Sequence, residues 1–269
     1  MIGLILIDID GTLVGAGNLV PPSAWTAIAA AQASGRKVAL CTGRPCAGNA
    51  VAYARRVDPL AAHVFQSGAV VCRPDGHTVH SVALPPLSYA RLVGLARAHD
   101  QPLEVYTATS VYVERPNEHT RAHAQAIDLD VIERDLLALP GDETIVRVQW
   151  IVAWAHWPII EALTAQDTAL QISVATHPDL VETCFSSVTA RGVSKASAAA
   201  WLATHYGLGL ENVAMIGDGD NDLEGIQAAG LGIAMGNGTE TVRRAADLVV
   251  GTVENGGLAE AIAAAMGRT

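Results

Sequence analysis

Two short acidic loops carry the groups in this sequence that could do chemistry. The apolar run Leu4-Ile5-Leu6-Ile7 ends in Asp8-Ile9-Asp10-Gly11-Thr12-Leu13, and Val213-Ala214-Met215-Ile216 ends in Gly217-Asp218-Gly219-Asp220-Asn221-Asp222. Each loop follows a segment that reads as a buried strand. In an open parallel sheet, loops at the carboxyl ends of neighbouring strands converge on one crevice, so the two can build a single acidic site that collects a hard divalent cation. An aspartate in such a site can attack phosphorus, splitting one displacement into two. A second carboxylate two residues on can reach the same site and move protons.

Elements of alternating type must position these loops. The pattern predicts strands over 4–8, 38–41, 63–66, 213–216, 231–235 and 248–250. Helices are predicted over 23–34, 46–56, 194–206, 222–229, 239–246 and 257–265. Such alternation implies βαβ units and a parallel sheet. Between about 84 and 189 the texture changes to a helix over 87–99 and alternating or β-branched runs at 103–106, 110–113, 145–152 and 170–174. That stretch reads as an inserted α+β domain with an antiparallel sheet.

Composition narrows the function. Half of the 269 residues are hydrophobic and 16% are charged, and the mean hydropathy is positive, which excludes wholesale disorder. The length suits two domains. A net charge of -10 without clustered Lys or Arg excludes a general nucleic-acid binder. No window of about 18 residues is apolar enough to span a bilayer. Asp8 and Asp10 break the opening apolar run, unlike a signal peptide, so a cytoplasmic location without membrane partners is expected. Cys41, Cys46, Cys72 and Cys184 lack metal-ligand spacing and are expected as reduced structural thiols. The sequence leaves the oligomeric state open.

Four ordered motifs, Asp8-Ile9-Asp10-Gly11-Thr12-Leu13, Cys41-Thr42-Gly43-Arg44-Pro45, Gly192-Val193-Ser194-Lys195 and Gly217-Asp218-Gly219-Asp220-Asn221-Asp222, resemble those of the haloacid dehalogenase-like (HAD) superfamily. Ala234-Met235-Gly236-Asn237-Gly238 and Ala246-Asp247 strengthen the similarity to Cof-like phosphatases with a large α+β (type IIB) cap. The resemblance implies an α/β protein: a doubly wound, Rossmann-like parallel-sheet core from 1–83 and 190–269, and a cap over 84–189. It implies a Mg²⁺-dependent phosphatase acting on a small phosphorylated metabolite through an aspartyl-phosphate. Asp8 is then the nucleophile and Asp10 the general acid and base, with Asp8 ionised and Asp10 protonated before attack.

Thr42 and Gly43 supply a hydroxyl and an unobstructed N–H to the phosphoryl oxygens. Lys195, one of two lysines against fifteen arginines, neutralises phosphate and Asp8. Asp8, the backbone carbonyl of Asp10 and Asp218 surround the metal, supported by Asp222. Asn221 hydrogen bonds within its loop and lies on the substrate side, and Arg44 is a further candidate for substrate contact. Asp220 reads as a solvated loop residue, and Asn237-Gly238-Thr239, which matches a glycosylation acceptor, as an ordinary turn. Ser67 stands where relatives often have Asn. His119 and His123, four apart, and Trp150, Trp154 and Trp157 are assigned to the cap.

A sugar phosphate is the expected substrate. A phosphoglycerate conjugate, pyridoxal phosphate and flavin mononucleotide are also compatible. Two other functions share these residue types: a phosphotransferase or phosphomutase of the phosphomannomutase kind, and a regulatory phospho-acceptor domain, which needs neither Asp10 nor a cap.

Overall fold

The computed structural model describes residues 1–126, 128–141, 143–175 and 182–268. The chain divides into two compact units, one of Met1–Gly43, Ala50–Val79 and Ser194–Thr269, the other of Arg44–Asn49 and His80–Val193. In chain order the elements begin β1 (Leu4–Ile7), α1 (Pro22–Ala33), β2 (Lys37–Leu40), α2 (Gly48–Val57), β3 (His63–Phe65), β4 (Val70–Cys72) and β5 (Thr78–Ser81). There follow α3 (Pro86–Ala98), β6 (Leu103–Tyr106), β7 (Val111–Val113), α4 (Glu118–Ala126), β8 (Val131–Glu133), β9 (Arg147–Ala153), α5 (Trp157–Thr164), β10 (Leu170–Ala175) and β11 (Thr183–Ala190). The last stretch holds α6 (Lys195–His205), β12 (Val213–Gly217), α7 (Leu223–Ala228), β13 (Leu231–Ala234), α8 (Glu240–Ala245), β14 (Leu248–Val249) and α9 (Gly257–Gly267).

In the first unit a parallel sheet runs β14-β13-β12-β1-β2. All four side chains of β1 are fully buried, as expected of a strand covered on both faces. Leu4 pairs with Val213 on one side and Lys37 on the other. This register aligns the carboxyl ends of β12, β1 and β2, which lead into Asp218, Asp8 and Thr42. Buried His63 braces the end of β2. Its Nδ1 accepts from Leu40 N at 3.0 Å, so Nε2 carries the proton donated to Asp58 O at 2.9 Å. Burial pushes this imidazole below its ordinary pKa, which keeps it neutral.

The segment expected as another strand of the parallel sheet behaves differently. β3 joins β4 and β5 in a separate three-stranded sheet and touches the main sheet through one parallel bridge, Cys41 to Val64. The cause is local: β4 begins a few residues after β3 and supplies an antiparallel partner for Phe65, Val64 and His63.

The second unit is a six-stranded sheet, β10-β11-β9-β6-β7-β8. Its ladders are antiparallel except for the parallel β7–β8 pair. Val148, Trp150 and Val152 on one face pack with Tyr89, Leu92 and Val93 of α3 and Trp157 and Ile160 of α5. The neighbouring positions Arg147, Gln149, Glu104 and Tyr106 are buried polar groups. Alternation along β9 and β6 sends them to the opposite face. There Glu104 meets His123 of α4 at 2.9 Å.

The cysteines depart from expectation. Cys41 and Cys184 are free and buried, but Cys46 and Cys72 are disulfide-bonded. Tertiary placement, which spacing along the chain does not encode, decides such pairing. No helix among the described residues is long and apolar enough to cross a membrane.

Candidate active site

Asp8 leaves the sheet with its N–H still bonded to Ile216 O at 3.0 Å, so it stands beside the loop that follows β12. Its chain then turns tightly, with Leu13 N bonded to Asp8 O and Val14 N to Ile9 O. Gly11 makes this turn possible. Its φ is +75°, and a Cβ there would lie 2.0 Å from Asp218 Oδ2. Asp8 is 5% exposed, whereas Asp10 is exposed.

Lys195 opens α6, behind Ser194, which caps the helix by accepting from Ser197 N. Its Nζ donates to Asp8 Oδ1 at 2.7 Å and Asp222 Oδ1 at 2.6 Å. The other oxygen of Asp222 accepts from the N–H groups of Asp218 and Gly219 at 3.2 and 3.1 Å. Asp222 therefore shapes the loop and fixes the lysine. Thr12 Oγ1 donates to Asp218 Oδ1 at 3.1 Å.

The charges do not balance. Burial and then Asp222 push the Asp8 carboxyl well above its ordinary value, against the downward pull of Lys195, with Asp10 and Asp218 adding to the rise. Burial and Asp222 also raise Asp218, to about 6. Burial opposes charge on Lys195, but Asp222 and Asp8 outweigh it and raise the ammonium pKa. The protein groups alone therefore raise the cost of ionising Asp8, and Lys195 offsets only part of it. Three carboxylates, Asp8, Asp218 and Asp222, offer oxygens within 4.8 Å of one another. A hard oxygen donor set with unbalanced negative charge fits Mg²⁺.

Thr42 is fully buried at the end of β2. Its N–H donates to Val64 O and its carbonyl accepts from Ser67 N, each at 3.0 Å. A Cβ on Gly43 would meet Ser67 Oγ at 3.3 Å and Asn221 Nδ2 at 3.8 Å, so three loops converge here. Ser67 and the preceding Gln66 both have φ of 55°, a left-handed conformation that Asn adopts more readily than Ser. Arg44 belongs to the other unit. Buried Cys41 is held protonated because burial pushes its thiol up.

The structure thus brings Asp8, Asp10, Thr42, Gly43, Lys195, Asp218, Asn221 and Asp222 into one unit. Asp220 is exposed in its loop and accepts from Thr239 Oγ1 at 2.7 Å. Sequence reasoning missed Asn237. This residue of the supposed ordinary turn donates to Gly11 O at 2.8 Å and reaches Asp218 Oδ2 at 3.4 Å. The signal was present in Ala234-Met235-Gly236-Asn237-Gly238, but as a resemblance without a role.

The sequence profile of haloacid dehalogenase-like hydrolases matches residues 5–262. The chain belongs to this family. Among its HAD relatives is the putative phosphatase YxeH of Bacillus subtilis, 29% identical, with 97% of both chains covered. The 5-amino-6-(5-phospho-D-ribitylamino)uracil phosphatase YitU of the same organism is 26% identical over 95% of this chain and 94% of its own. The HAD subclass IIB sugar phosphatase BT4131 superposes with a TM-score of 0.82 over 97% of this chain and 98% of its own; at 23% identity it shows the fold. The parallel core and separate, largely antiparallel cap sheet are those of a HAD phosphatase.

Proposed function

We propose that this HAD phosphatase hydrolyses small phosphorylated metabolites, sugar phosphates foremost, through an aspartyl-phosphate on Asp8, with Mg²⁺ as cofactor. The observation that carries this reading is Lys195, buried and bridging Asp8 to Asp222, in a cluster whose remaining negative charge needs a cation. Asp8, the backbone carbonyl of Asp10 and Asp218 would hold Mg²⁺, with Asp222 supporting from behind. When bound, the ion would neutralise the phosphoryl oxygens and favour ionised Asp8.

The chain's own groups supply the remaining steps. Asp8 attacks phosphorus in line with the leaving oxygen, and the ester P–O bond breaks. Asp10 gives that oxygen a proton, then takes one from the water that attacks the aspartyl-phosphate, releasing inorganic phosphate and free Asp8. Lys195 and the Thr42 hydroxyl balance the transferred group's charge, with the Gly43 N–H beside them. The second unit, taken as the cap, selects the leaving group. YitU and BT4131, named for a phosphoribityl compound and for sugar phosphates, support a polyhydroxylated leaving group.

A phosphate-release screen over a panel of phosphometabolites tests the reading. Highest turnover on sugar and sugar-alcohol phosphates is expected. Isomerised hexose phosphate without phosphate release would assign a phosphomutase instead, and a long-lived phosphoprotein a phospho-acceptor.

A further inference from the structure

The two oxygens of Asp218 are held separately. Thr12 Oγ1 donates to Oδ1 at 3.1 Å, and Asn237 Nδ2 lies 3.4 Å from Oδ2. The sense of the Asn237 amide is fixed from outside. Val253 N–H can only donate, and it lies 3.1 Å from Asn237 Oδ1. The amide nitrogen therefore faces Gly11 O, at 2.8 Å, and Asp218. One exposed side chain thus ties the loop after β1, the loop after β12 and the segment at Val253. Neutral donors of this kind orient a carboxylate without cancelling its charge, and each leaves a lone pair for a cation. Asp220, two residues on, is tied by Thr239 instead.

We propose that Asn237 is a positioning residue for Asp218, aiming its carboxylate at the divalent cation as the counterpart of Thr12. This rests on reading Asp218 as a metal ligand. Loss of such a partner typically weakens metal binding 10- to 100-fold.

Calorimetric titration of chelator-treated protein with Mg²⁺ measures the effect directly, with turnover at saturating Mg²⁺ measured alongside. Asn237→Ala is expected to raise the Mg²⁺ dissociation constant by at least about 10-fold. Turnover at saturating metal should fall by a smaller factor than the affinity, because the ligand itself remains. Asn237→Ser, polar but too short to reach Asp218, should give the same shift if the alanine variant proves insoluble. In the Asp218→Ala background, Asn237→Ala should add almost nothing, since the two act through one carboxylate. Thr239→Val removes the neighbouring tie and should leave Mg²⁺ affinity near that of the parent. An unchanged dissociation constant in both Asn237 variants, an equal shift in Thr239→Val, or additive loss in the double variant overturns the assignment to Asn237. Unchanged affinity in Asp218→Ala overturns the metal-site reading beneath it.

Discussion

Two carboxylates in one loop face different surroundings, Asp8 buried and Asp10 exposed, and the proposed chemistry divides between them accordingly. Asp8→Asn should abolish turnover and phosphoenzyme together. Asp10→Asn should cost most where the leaving oxygen is a poor leaving group, typically 100-fold or more for lost acid catalysis. Rapid-quench kinetics with an aryl and an alkyl phosphate checks this; equal losses on both substrates would remove Asp10 from the acid role. Proton linkage gives a second expectation. A carboxyl whose pKa rises from 3.8 unfolded to about 6 folded, as at Asp218, favours the native state while protonated. That contribution is complete below 3.8 and disappears as pH rises through about 6. Chelator-treated protein should therefore lose thermal stability across this range, and Mg²⁺, competing with those protons, should restore more of it at about pH 7.5 than at about pH 5. Melting curves at both pH values, with and without Mg²⁺, test the sign.

Close approaches between loops distinguish elements that merely connect from those that shape the site. Gly68 has φ +104°, and a Cβ there would lie 2.2 Å from the backbone oxygen of Ser194, just before Lys195. Gly76 has φ +91° with nothing within 4 Å of that position. Alanine at either should cost about 1 kcal/mol for the left-handed backbone. Gly68→Ala should lose clearly more, and activity with it, because the start of α6 must move. Denaturant midpoints of the two variants give the comparison. The strands of the parallel sheet were legible because runs such as Leu4-Ile5-Leu6-Ile7 are apolar throughout, and their acidic ends stood out for the same reason. β11 was not. Thr183, Ser186, Ser187 and Thr189 give it a polar composition, yet it pairs with β10 and β9 and is almost wholly buried. Asn237 was obscured because a turn asparagine is ordinary until its partners are known. The upward push on the Asp8 carboxyl comes first from burial and then from Asp222, neither of which spacing alone reveals.

Each unit has its own apolar core, one around Leu4, Leu6 and Met215 and one around Trp150, Val148 and Leu103. If the second unit selects the leaving group, replacing residues 80–193 with a short linker should leave some activity on small aryl phosphates and flatten relative rates across a metabolite panel. Unchanged relative rates would deny it that role. The strand order also bears on the chain's synthesis. β1 lies between β2 and β12, so one side can pair almost at once, while the other waits for residues 213–216. At ribosomal speeds of about 5–20 residues per second, those partners emerge roughly 10–40 s later. Until then Leu4-Ile5-Leu6-Ile7 presents an open, uncharged strand edge, the kind of surface on which nascent chains misassociate. The second unit, almost all of it in the continuous stretch His80–Val193, is fully synthesised before then, while the parallel sheet still lacks β12, β13 and β14.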